Sequence, residues 1–283
     1  MCNIFKCSSY VSGVALFLLL GCGFLRGQEL RTQSWTILQA GTEERRAGNR
    51  AQATLALGII PDNPHAVRLG ERALQDSKSE VRRAAVVALG NMNAGGSLPK
   101  IKSLLEDSDT KTVLAVAAVL TKFNDPAGYK IYREIISGQR EGSRLLDGLK
   151  DKKDLQKMGI EGALGFVPYA SYGVGAYNYF KRHDQANANL NATAATALAQ
   201  DPDSSGENAL IDASLSGKEV VQLAALRALA ERGNPTVIKK ILPALYSKKA
   251  RVRYTAAAVV VHLSDRRSKS PEIVTTAQSE VNQ

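Results

Sequence analysis

Side chains able to do chemistry are sparse in this sequence, and their spacing excludes most reaction types. The histidines are His65, His183 and His262, too far apart for a helical pair of zinc ligands and in no His-Glu-x-x-His context. Cys2, Cys7 and Cys22 all fall within the first 27 residues, so the chain beyond them has no thiol nucleophile, disulfide or cysteine metal site. Neither a Gly-x-Ser-x-Gly elbow nor a P-loop occurs. One oxygen-rich loop remains. Asp201-Pro202-Asp203-Ser204-Ser205-Gly206, with Asp212 at the twelfth position, has the ligand spacing of a helix-flanked calcium loop. Asn208 stands where such a loop has an aliphatic residue, and Asp212 where it has a bidentate glutamate. The same string fits a turn ahead of a capped helix, and both readings are open on the sequence.

Binding chemistry is better represented. The formal charge is +10. Two of those charges, Lys6 and Arg26, fall in the acid-free first 27 residues, so the remainder carries +8. Between Lys239 and Lys269 nine cations face one acid, Asp265. Lys239, Lys240, Arg251 and Arg253 are the candidate partner contacts there, toward an acidic protein or an anionic envelope component. The other reading is a solvated polar face on a terminal unit. Met158–Phe180 holds five glycines, one charge and four of the nine tyrosines. Either it is a closely packed buried helix pair, or Tyr172, Tyr177 and Tyr179 line an apolar groove for a partner, since tyrosine joins a rigid apolar body to a polar tip.

The elements that would position these residues repeat. Six nine-residue helical phrases recur in register: Asn49–Leu57, Val81–Leu89, Thr112–Leu120, Leu190–Leu198, Val221–Leu229 and Val252–Val260. Their fifth and eighth positions are Ala or Val, which lets neighbouring helices approach closely. The ninth is a larger apolar knob. Gly58 and Gly90 directly follow and are expected as left-handed helix caps. A short turn then leads into a second amphipathic helix, as at Pro61-Asp62-Asn63-Pro64 and Gly233-Asn234-Pro235. A period near 31 residues means stacked units, none able to bury its apolar face alone. A weaker phrase, Gln156–Leu164, bridges the long central gap, with a charged insertion at about 138–153 that decorates a face or is a tolerated loop.

Val81-Arg82-Arg83-Ala84-Ala85 with Ala88-Leu89-Gly90, and Val252-Arg253 with Ala256, resemble HEAT repeats of the short, phycobilisome-lyase-like kind, over most of Arg45 to Leu263. The resemblance implies an all-α fold, a right-handed HEAT-like α-solenoid of about six to seven helix–turn–helix repeats over residues 28–283, with an irregular repeat at about 155–186. Such arrays serve as scaffolds, adaptors, inhibitors and occasionally enzymes. The paired His-Glu motifs of their di-iron hydroxylase branch are absent, as is any lyase motif, so no catalysis and no cofactor are expected.

Residues 1–27 have the layout of a secretory signal: Lys6, the apolar run Val11–Leu20, then Gly21, Gly23 and Gly27. The run is too short to span a bilayer. Cleavage after Gly27 would leave Gln28 first. Alternatively, Leu19-Leu20-Gly21-Cys22 resembles a loose lipobox, making Cys22 a candidate lipidation site and the only route to a membrane. The resulting expectation is an exported periplasmic or envelope scaffold that binds another macromolecule. Nucleic acid is disfavoured by the export signal and by the distance of Trp35 from the basic cluster. If residues 1–27 are not a signal, the alternative is an intracellular HEAT-like enzyme or nucleic-acid binder.

Overall fold

The computed structural model describes residues 28–136 and 186–269, and these fold into helices joined by turns. Helix α1 spans 28–42. Six helices carry the repeated phrases: α2 (Ala47–Leu57), α4 (Ser79–Asn91), α6 (Thr110–Lys122), α8 (Ala186–Ala197), α10 (Glu219–Arg232) and α12 (Ala250–Lys269). Between them lie second helices: α3 (Pro64–Ala73), α5 (Leu98–Lys102), α7 (Pro126–Ile136), α9 (Ser204–Leu215) and α11 (Ile238–Ile241), of which α5 and α11 are short and extended by single turns of tighter helix. Three of the second helices start at conventional caps. The Asn63 side chain accepts from the His65 and Ala66 amides, Asp203 from Ser205 and Asn234 from Thr236, each satisfying an amide that has no intrahelical partner.

Packing follows the phrase register. Ala53, Ala85, Val116, Ala225 and Ala256, all at the fifth position, are fully buried. The glycines after the first two phrases serve this packing and are not left-handed caps, which corrects the expectation. Gly58 has a right-handed φ of −61°, and Gly90 lies inside α4. A Cβ on Gly90 would come within 2.7 Å of a Val119 methyl. The left-handed turn falls four residues beyond the phrase end, at Asn93 (φ 55°), Asn124 (φ 56°) and Gly233 (φ 73°).

The layers are not ordered as the chain runs. Helix α8 packs on α10, α10 on α12, α12 on α2, α2 on α4 and α4 on α6. The last repeat therefore sits against the first, and the chain's two halves form one stack with the described ends of the chain at its middle. The expectation that the basic C-terminal repeat caps an end of the array is overturned: Val252, Ala256–Val261 and Leu263 are wholly buried. Among the described residues no second helix follows α12 in sequence, and α1 packs in that place. Arg31 Nε donates to Asp265 Oδ1 at 2.7 Å, Gln33 Nε2 to the Tyr246 hydroxyl at 2.9 Å, and Gly41 lies against Tyr254. Asn63 Nδ2 reaches the other Asp265 oxygen at 2.8 Å. Helices α12 and α1 thus make one composite repeat from opposite ends of the sequence. At α8, Ala194 and Ala197 are exposed where their counterparts in other layers are buried, as befits an outer layer of the described array.

The phrase Gln156–Leu164, the insertion at 138–153 and Tyr172, Tyr177 and Tyr179 lie outside the described residues.

Candidate binding surface

The second phrase position carries Arg50, Arg82 and Arg253, and the first two tie their layers to the next. Arg50 Nε and Nη2 donate to Asp76 at 2.7 and 2.8 Å; Arg82 pairs with Asp107 in the same two-pronged way at 2.6 and 2.8 Å. Bidentate arginine–carboxylate pairs are among the stronger polar contacts available. The Arg50 and Arg82 guanidinium groups, by hydrogen bonding first, hold the Asp76 and Asp107 carboxyls below the usual carboxylate range despite burial. Each arginine also caps the turn preceding its own helix, through carbonyls of Glu44 for Arg50, Asp76 for Arg82 and Ser247 for Arg253. Glu44 occupies the rung that faces α12: its carboxylate accepts from the Tyr254 hydroxyl at 3.4 Å, and Arg253 stacks over the Tyr254 ring at 5.1 Å. The rung pattern continues across the junction of the two halves.

This places the predicted basic contacts in different settings. Arg253 is half-buried in the ladder. Arg251 is exposed, 3.7 Å from Glu219, in the turn edge where the phrase helices begin. Lys239 and Lys240 are exposed on α11, on the second-helix side, Lys240 lying 3.4 Å from Asn208. The structure does not bring the four into one patch. What it does assemble is a row along the turn edge: Lys248 and Lys249 before α12 and Arg251 in its first turn, with Arg45 and Arg46 before α2, all exposed. Sequence reading missed Arg45 and Arg46, which sit some 200 residues from Lys248. Their shared position three and four residues ahead of a phrase was the available signal.

The Asp201 loop is not folded as a helix-flanked calcium loop. Helix α9 begins at Ser204, so residues 204–212 coil away and do not wrap an ion. Asp203 caps the Ser205 amide at 2.9 Å. Arg232 from the next layer donates to the carbonyls of Leu198, Asp201 and Asp203, so a guanidinium fills the place a cation would take. Among the described residues no three His, Cys, Asp or Glu side chains converge for a metal ion. His65 stacks edge-on against Trp35 at 4.6 Å; burial first, then nearby Arg68, Arg72 and Arg31, hold it below the ordinary imidazole range, and it serves packing between α3 and α1. A shallow hollow of about 640 Å³ lies between α3 and α5, and its acids are engaged: Glu71 by Lys100 and Asp76 by Arg50.

No helix of the described residues is long and apolar enough to cross a membrane. A comparison with curated proteins finds no match. The sequence pattern of HEAT repeats matches residues 66–137 and 181–270, more than half of the chain. With helix pairs that stack through small residues and are tied by a recurring Arg–Asp rung, the chain belongs to the HEAT-repeat family.

Proposed function

We propose that this HEAT array is a non-enzymatic scaffold, exported to the periplasm or cell envelope, that binds a protein or anionic envelope component through its solenoid surface. HEAT repeats are a helical scaffold often used for protein interaction, and this one presents cations on a preformed surface. The observation that carries the reading is the exposed turn edge, where Lys248, Lys249 and Arg251 meet Arg45 and Arg46 across the α12–α2 interface. A rigid array loses little conformational entropy on binding, and a cationic edge speeds encounter with an anionic partner.

Tyr172, Tyr177 and Tyr179 are proposed as a second contact region, and Cys22 as a lipid anchor if the lipobox reading holds. Mass spectrometry of the mature N-terminus separates a Gln28 start from a lipidated Cys22. For function, the full chain carrying its own leader is cross-linked in cells, fractionated and captured. The expected result is an envelope-fraction chain with a reproducible partner whose recovery falls steeply between about 50 and 300 mM salt. A chain found inside the cell with nucleic acid bound would overturn the reading in favour of the intracellular alternative.

A further inference from the structure

The four central phrase helices begin in an unusual way. Helix N-caps favour Ser, Thr, Asp or Asn, whose side chains accept a free amide, and the helix dipole makes a cation there unfavourable. Three of the second helices obey this, with Asn63, Asp203 and Asn234. Helices α10, α2 and α4 instead have Lys218, Arg46 and Lys78 at the N-cap, none with a side-chain cap, and Lys249 occupies the same place before α12. The backbone geometry is the same in all four: the carbonyl of Lys218, Lys249, Arg46 and Lys78 accepts from the amide four residues on, at 3.2, 3.1, 3.1 and 3.2 Å. The stacking order α10, α12, α2, α4 puts these residues in single file, one per layer, about 8–10 Å apart by ordinary helix packing. All four are exposed. Arg45 and Lys248 flank the file. In α6, an outer layer among the described residues, the position reverts to Asp109, an ordinary cap on Thr112.

We propose that this file of cations is a docking ridge for an extended acidic polypeptide, with one acidic side chain engaged per layer. The proposal rests on the scaffold reading and names its surface and partner. An extended chain advances about 3.3 Å per residue, so every third residue meets the next cation. With one N-cap cation per layer and flanking cations in only two of the four layers, the ridge suits a single linear polyanion better than a planar headgroup surface. DNA, with one charge per about 1.7 Å, would leave most phosphates unmatched by so sparse a file. The chain's entry also points away from the ridge. Arg31 lies at Asp265, near the far end of α12, while Gly41 reaches Tyr254. The start of α1 is therefore at the edge opposite the ridge, about 20 Å along α12.

The test uses the mature full chain and a fluorescent 15-residue peptide with glutamate at every third position. One variant carries Arg46→Asp, Lys78→Asp and Lys248→Asp. A charge-matched control carries Lys239→Asp, Lys240→Asp and Arg267→Asp. The ridge variant is expected to lose at least about tenfold in peptide affinity, the scale of a few desolvated charge contacts, while its thermal midpoint holds or rises because two of its new acids sit at helix starts. The control should change by less than about threefold. Equal losses in both variants, or tighter ridge-dependent binding to phosphatidylglycerol vesicles or single-stranded DNA than to the peptide, would overturn the proposal. If the ridge variant still captures the native partner at full yield, the ridge is wrong and the scaffold reading stands; if neither wild type nor variant captures a partner, the scaffold reading fails with it.

Discussion

At the scale of single residues, the Arg–Asp rungs are the sharpest feature. The Asp107 side chain is 3% exposed and Arg82 16%, so Asp107→Asn leaves a poorly solvated guanidinium without its carboxylate. A loss of about 3 kcal/mol is expected in urea denaturation near neutral pH, typical of breaking a buried pair from one side. Because the Asp76 and Asp107 carboxyls sit below their usual range when folded, their stabilisation is complete above the unfolded carboxylate range and is lost as pH falls through the depressed folded values. The wild type should therefore weaken on acidification below about pH 4, and Asp107→Asn should flatten that limb. Two other residues point the opposite way. The hydroxyls of Ser34 and Thr54 are buried with no hydrogen-bond partner. Thr54→Val should be neutral or stabilise by about 1 kcal/mol, since an unpaired buried hydroxyl carries a desolvation cost; a clear drop in the thermal midpoint would show a partner missed.

Among elements, the phrase helices owe their spacing to small residues, and Gly90 tests this directly. Gly90→Ala drives a methyl into Val119 and should cost about 1–3 kcal/mol despite alanine's better helix propensity. The double variant with Val119→Ala should recover part of that loss in the same denaturation assay. The helices themselves were legible in the sequence because both signals, small residues three apart and Pro or Asn at the second-helix starts, are local. The cap glycines were misread because Gly58 and Gly90 satisfy two patterns at once; only the neighbouring layer, through Val119 and Asn91, decides that packing takes them. The calcium-like loop failed for a related reason: its fate depends on Arg232, one repeat away. Arg45 and Arg46 were illegible as site residues, since nothing near them in sequence shows that α12 lies alongside.

For the whole molecule, the seam between α12, α1 and α2 decides whether there is one array or two short ones. A protease site placed in 138–153 and cleaved after folding should leave two pieces that co-elute, because the halves are joined by packing and not only by the chain. Adding Asp265→Ala, which removes the acceptor of both Arg31 and Asn63, should make the cleaved pieces separate at lower denaturant. Pieces that part at once without denaturant would refute a continuous stack.

That seam also sets a clock. Repeat arrays ordinarily fold from neighbour to neighbour, with contacts local in sequence. Here the central layer needs Arg31 to find Asp265 across 234 residues and Tyr254 to find Glu44 across 210, closures that slow folding. A chain emerging from synthesis could build α2–α7 early, yet its middle layer must wait for nearly the last helix. Stopped-flow refolding should show a late phase that Asp265→Ala slows and that the interior of each half does not share. A chain whose middle layer stays open until α12 is made would keep the separate, threadable form that the proposed export requires for longer than a chain whose layers close in order.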